Sequence, residues 1–118
     1  MICSLRLEII SLLGELPIFL FSVESGTDKA TAYSRTFAPG VGIAEDAATM
    51  GASGPLGCYL VRHKVVTATK AGSMLNVQGV RMGRPSQVHI AIGLAAGAIT
   101  SVRAGGESVV AGEGILCI

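Results

Sequence analysis

The chain has 118 residues, of which 50% are hydrophobic and 14% charged, with 16 glycines and a formal charge of +1. That length suits one core, and that apolar content excludes a disordered chain. The nine Lys and Arg residues are scattered rather than clustered, which argues against a nucleic-acid partner.

Taken in chain order, Ser4 to Leu13 places Leu5, Ile9, Leu12 and Leu13 on one face, the pattern of a short amphipathic helix that Gly14 can end. The run PIFLFSV (17–23) has strand length and composition, and Thr31 to Phe37 is expected as the second arm of a hairpin with it. The apolar stretch Ile9 to Val23 is interrupted by Gly14, Glu15 and Pro17, so no membrane span and no signal peptide is expected. The segment APGVGIAED reads as a loop, followed by a helix from about Gly51 to His63. Arg62, His63 and Lys64 suit the negative end of that helix dipole.

Beyond Lys70 the pattern becomes short, β-branched and punctuated by glycine. SMLNVQG, SQVHIAIGL, AITSVRAG and ESVVAGEGILCI read as three or four successive antiparallel strands. In the second of these, Ser86, Val88, Ile90 and Ile92 share one face, while Gln87, His89 and Ala91 share the other; the first face is the drier. No fixed-period repeat or linker divides the chain, so residues 1–118 are read as a single domain.

The helix from Gly51 to His63 is apolar nearly all round, which predicts a position enclosed by strands, and its glycines allow close approach. Proline is tolerated in a first helical turn, so Pro55 places the helix start near residues 50 to 53. The first N–H groups, from Met50 to Gly54, then lack backbone acceptors and carry the positive dipole end, a ready site for a carboxylate or phosphate. Thr49 or Ser53 is the expected N-cap, with Glu45 and Asp46 just upstream. The same residues also fit a purely structural role, as dipole partners and as small side chains for tight packing. Neither dinucleotide-binding nor P-loop glycine spacing is present.

Other chemistry-bearing residues point to ordinary roles. His89 is expected to be half-buried and hydrogen-bonded, and His63 to partner the helix C-terminus; neither has a second metal ligand nearby in sequence. Ser53 lacks the nucleophile-elbow pattern. Cys3, Cys58 and Cys117 are odd in number, far apart and set among apolar neighbours, so all three are read as reduced core thiols in a cytoplasmic protein.

Three stretches together, FAPGVGIAEDAATMGASGPLGCYL (37–60), QGVRMGRPSQVHIAI (78–92) and VRAGGESVVAGEGIL (102–116), resemble the C-terminal domain of the PhzF-like phenazine-biosynthesis family. The resemblance implies an α/β (α+β) architecture, half of a diaminopimelate-epimerase-like fold, with a curved, mainly antiparallel sheet wrapped around a central apolar helix. It further implies a cofactor-independent isomerase or epimerase that moves a proton on a small carboxylic acid in a cleft between two similar halves. By the same resemblance Asp46 is the catalytic residue of this half, Met50, Gly51 and Ala52 form the substrate-holding helix start, and no cofactor or metal is used. The family's E-D-P-A-T-G-S reads E-D-A-A-T-M-G here, so Met50 replaces a glycine and Gly51 a serine.

Family members are about twice as long, and their main acid/base glutamate belongs to an N-terminal half that this chain is expected to lack. Glu8, Glu15 and Glu24 match other segments. The chain is therefore expected to be inactive alone, with the missing half or another copy of itself as partner and self-association through the face left uncovered. The alternative is a truncated, non-catalytic relative that serves as an assembly or interaction module.

Overall fold

The computed structural model describes residues 16–23 and 29–117. The helix expected over Ser4 to Leu13, together with Cys3, Glu8, Glu15 and Glu24, lies outside them.

β1 (Ile18–Ser22) and β2 (Ala32–Ala38) pair antiparallel from Ile18↔Phe37 to Ser22↔Tyr33, as the β-branched and aromatic runs predict. The opposite edge of β2 is shared. Its first half pairs parallel with β4 (Met74–Gln78), and its second half meets β3 (Ile43–Asp46) antiparallel, with Thr36 opposite Asp46. The strand β3 corrects the loop expected there. A 3-10 turn at Pro39–Val41 and Gly42 at φ 81° reverse the chain within a few residues, which leaves Ile43 to Asp46 extended beside β2.

β4 and β5 (Ser86–Ala95) form a hairpin whose register runs from Met74↔Ile90 to Gln78↔Ser86. β6 (Ala98–Gly105) follows through the two-residue connection Ala96–Gly97, both at positive φ, the geometry that matches strand twist in a tight hairpin. The strand order is β1-β2-β4-β5-β6, with β3 beside β2. Three of the successive strands expected after Lys70 form. The fourth segment, 107–117, has no strand structure and its apolar side chains are exposed; among the described residues no strand lies beside it to take up its backbone groups.

α1 (Met50–Arg62) begins where the sequence places it and ends at His63, whose N–H bonds the Tyr59 carbonyl. It lies on the sheet against β5 and β6. Ser53, Gly54, Leu56, Gly57 and Leu60 are buried, whereas Gly51, Pro55, Tyr59 and Arg62 are exposed. A Cβ at Gly57 would stand 2.5 Å from Ile90 Cγ2, and one at Gly54 3.1 Å from Val102 Cγ1, so these glycines set how closely helix and sheet approach. Leu56, Leu60, Val88, Ile90 and Ile92 form the core with Ala32, Ala71 and Met74, on the face of β5 read as dry. Ala71 belongs to a one-turn helix, α2 (Ala68–Ala71), with the Thr67 hydroxyl accepting from the Lys70 N–H.

Two details differ from the sequence reading. Pro55 is the sixth residue of α1, past the first turn, so the Gly51 carbonyl has no intrahelical donor; the proline survives there because its ring faces solvent. Among the thiols, Cys58 packs beside the core but Cys117 is exposed, since it lies in the segment without a strand partner. Among the described residues no helix is long and apolar enough to cross a membrane. The fold is mixed α/β, with a curled, half-barrel sheet and few helices.

Candidate functional site

The face of the sheet beneath the start of α1 is polar. Period-two alternation turns Ser34 and Thr36 of β2 and Asn76 and Gln78 of β4 toward the helix, and all four are buried. A buried hydroxyl or amide without a partner costs about 1–3 kcal/mol, so these groups must bond one another. They do so through one connected network that reaches the loop 46–49.

Gln78 is its hub. Its Oε1 accepts from the Thr49 N–H at 3.1 Å, while Nε2 donates to the Asp46 carbonyl oxygen at 2.8 Å and to Thr49 Oγ1 at 2.9 Å. Thr36 Oγ1 accepts from the same amide at 3.2 Å. Asn76 Nδ2 donates to Ser34 Oγ at 2.9 Å, and Ser53 Oγ donates to the Thr49 carbonyl at 2.9 Å. Among the described residues Asn76 Oδ1 is the one buried side-chain polar atom without a partner.

Thr49 occupies the N-cap position, as expected, but its side chain does not cap the helix. The hydroxyl turns back and donates to Asp46 Oδ2 at 2.6 Å; Asp46 Oδ1 accepts from the Ala48 N–H at 3.4 Å. The first intrahelical bond runs from the Ser53 N–H to the Thr49 carbonyl at 3.1 Å. The N–H groups of Met50, Gly51 and Ala52 precede it and take no acceptor among the described residues. Met50 and Gly51 are exposed, Ala52 is half-buried, and a Cβ at Gly51 would meet nothing within 4 Å. Donors at the positive end of a helix and a half-buried carboxylate therefore share one turn of chain. Such a set can hold an oxyanion and exchange a proton beside it.

The second carboxylate of the pair goes elsewhere. Glu45 faces the other side of β3, where Arg35 donates to it twice, from Nε at 2.7 Å and from a terminal nitrogen at 2.8 Å. Arg35 in turn lies 5.0 Å from the centroid of the Phe37 ring. A cleft of about 500 Å³ adjoins the helix start, bounded by Ala48, Met50, Ser86, His89, Gly106 and Glu107. Asp46 does not line it. His89, expected to be half-buried, is exposed, because it projects from the outer face of β5. His63 sits at the far end of α1, its ring 4.3 Å from that of Tyr59. No group of residues able to hold a metal ion is found among the described residues.

The sequence reading missed Gln78, Asn76, Thr36 and Ser34 as builders of the site. The available signal was polar residues two apart in both β2 and β4, on one face of each strand. What could not be read was that this face lies under the helix start.

The chain matches the phenazine biosynthesis-like protein family, PhzC-PhzF, over residues 4–114. It is 37% identical over 81 residues to a trans-2,3-dihydro-3-hydroxyanthranilate isomerase of Pseudomonas aeruginosa, an alignment covering 69% of this chain and 28% of that protein. It is 32% identical over 93 residues to an uncharacterised isomerase of Clostridium acetobutylicum, covering 78% of this chain and 31% of the relative. A further uncharacterised isomerase, from Escherichia coli, is 34% identical over 77 residues, covering 63% of this chain and 25% of its own. The chain thus spans less than a third of the length of these relatives. By the extent of the match and the helix-start motif that lies within it, this chain belongs to the phenazine biosynthesis-like (PhzC-PhzF) family.

Proposed function

We propose that this chain forms the C-terminal part of a cofactor-independent isomerase or epimerase that acts by proton transfer on a small carboxylic acid. In this reading the N–H groups of Met50, Gly51 and Ala52 hold the substrate carboxylate, and Asp46 takes or returns a proton at the adjoining carbon. A second segment, of the N-terminal type found in the longer relatives, forms the other wall of the cleft at the helix start and supplies the opposing acid/base. The observation that carries the proposal is the open first turn of α1 with the Asp46 carboxylate held by Thr49 beside it. Isomerase relatives support it. Acting on a soluble metabolite, such an enzyme belongs in the cytoplasm.

The test joins this chain to the N-terminal half of the Pseudomonas aeruginosa relative and follows deuterium uptake from solvent into a dihydro-hydroxyanthranilate. Uptake is expected, with a loss of about 100-fold or more in the Asp46→Asn variant. Equal uptake by that variant would remove Asp46 from the chemistry.

A second reading is a non-catalytic assembly module, favoured by one observation. Among the described residues the outer edge of β6 has no strand partner, and Ile99, Val102, Val109, Val110, Ile115 and Leu116 on and after it are between 40% and 94% exposed. Such an edge with apolar chain beside it favours pairing between copies into a homo-oligomer. Sedimentation tests this reading: a monomer at high concentration counts against it, and dimers support it where the chain joined to an N-terminal half shows no deuterium uptake.

A further inference from the structure

We propose that Gln78 positions Asp46 through Thr49, and that Asp46 Oδ1, rather than Oδ2, is the oxygen available to accept a proton. This inference rests on the reading of the helix-start site given above. Gln78 closes β4 and is fully buried, so its amide has few conformations to choose from. It faces a loop that offers one donor and one acceptor, the Thr49 N–H and the Asp46 carbonyl. Both are matched, by Oε1 at 3.1 Å and by Nε2 at 2.8 Å. A flipped amide would set donor against donor and acceptor against acceptor, so the backbone of the loop fixes which way this side chain points.

The polarity then passes outward. An amide nitrogen only donates, so Thr49 Oγ1, 2.9 Å from Nε2, is an acceptor in that contact. The hydroxyl keeps its single hydrogen for another group. Two oxygens are close: Thr36 Oγ1 at 2.8 Å, which can itself donate, and Asp46 Oδ2 at 2.6 Å, which as a carboxylate can only accept. The hydrogen therefore goes to Asp46, and the donor chain runs from Gln78 through Thr49 to the carboxylate. Charge-assisted bonds of this kind are short and strong, and this one holds the side chain by its Oδ2 edge. Oδ1 is left with one long contact, 3.4 Å from the Ala48 N–H, and with lone pairs to spare. In the proposed reaction that is the oxygen able to take a proton, while Gln78 touches no substrate.

The relay is tested on the chain itself by nuclear magnetic resonance, with two variants. Thr49→Val removes the hydroxyl and keeps the shape and the N–H; Gln78→Met removes all the amide bonds at similar length. In the wild type, three-bond couplings to the Asp46 carboxyl carbon are expected to report one χ1 rotamer. In Thr49→Val they are expected to average over at least two, while amide exchange at Ile90 in β5 changes less than about 3-fold, which separates lost positioning from general loosening. In Gln78→Met the Thr49 N–H is expected to exchange about 10-fold faster or more, with the same averaging at Asp46. A single Asp46 rotamer in Thr49→Val overturns the relay, and if Gln78→Met does not fold, Thr49→Val decides alone. These readouts need no ligand. A titration with acetate that leaves the amides of Met50, Gly51 and Ala52 unmoved counts against the anion site and leaves the positioning by Gln78 standing.

Discussion

Glu45 and Asp46 are adjacent in the chain and turn to opposite faces of the sheet: Glu45 is gripped by both arms of the Arg35 guanidinium, and Asp46 receives the Thr49 hydroxyl beneath the helix start. A motif that reads as a paired acid is thus one structural ion pair and one candidate base. The two roles predict opposite outcomes. Glu45→Gln is expected to cost about 1–2 kcal/mol in urea unfolding, because it weakens a bidentate, largely buried pair, and to leave binding of acetate to the helix start unchanged. Asp46→Asn is expected to cost about 1 kcal/mol in urea unfolding, since the amide keeps an oxygen for the Thr49 hydroxyl but loses the charge that strengthens that bond, and to bind acetate more tightly, with one negative charge fewer beside the anion. Reversed effects would exchange the two roles.

The glycines of α1 divide into those under contact and one that is free. Gly57→Ala is expected to destabilise by about 1–3 kcal/mol, because the new methyl meets the branched, stiff side chain of Ile90. Gly51→Ala, with open space around it, is expected to stabilise by about 0.5 kcal/mol through a stiffer unfolded chain. Urea denaturation of both variants checks the sign as well as the size.

Pro55 is out of place for a helix interior. It removes the N–H that would otherwise bond the Gly51 carbonyl within the helix, and its ring is exposed. Pro55→Ala is therefore expected to raise stability by about 1–3 kcal/mol. A loss of stability on this substitution would mean that the ring is held by contacts beyond the helix.

The tight turn between β5 and β6 asks Ala96 to adopt φ 50°, where a side chain is strained. Ala96→Gly or Ala96→Asn is expected to stabilise by about 1 kcal/mol. By contrast Gly79, at φ 78° with the Arg84 carbonyl 2.2 Å from any Cβ, is expected to lose about 3 kcal/mol or more on replacement by alanine. Thermal melts of the three variants rank them.

Removing residues 107–117 is expected to change stability by less than about 1 kcal/mol, because their apolar side chains are exposed and pack on nothing in the described chain. If copies pair through this region, the same deletion is expected to abolish concentration-dependent dimers in sedimentation. A dimer that persists places the contact elsewhere.

What the amino-acid sequence determined by itself was local. The runs 17–23, 31–37, 73–79, 86–94 and 98–105 mark five of the strands, Pro55 with a cap at Thr49 or Ser53 brackets the start of α1, and the helix-start motif with its flanking segments is sufficient for the family. Propensity, alternation and turn chemistry act over a few residues and can be read there. Only the tertiary structure decided that β3 forms, that segment 107–117 has no strand partner among the described residues, that Cys117 and His89 are exposed, and that Gln78 reaches back across 29 positions to Thr49. Those outcomes depend on which edges meet and what lies beneath a helix, and pairings between distant segments are set by the whole packed arrangement rather than by the residues on either side.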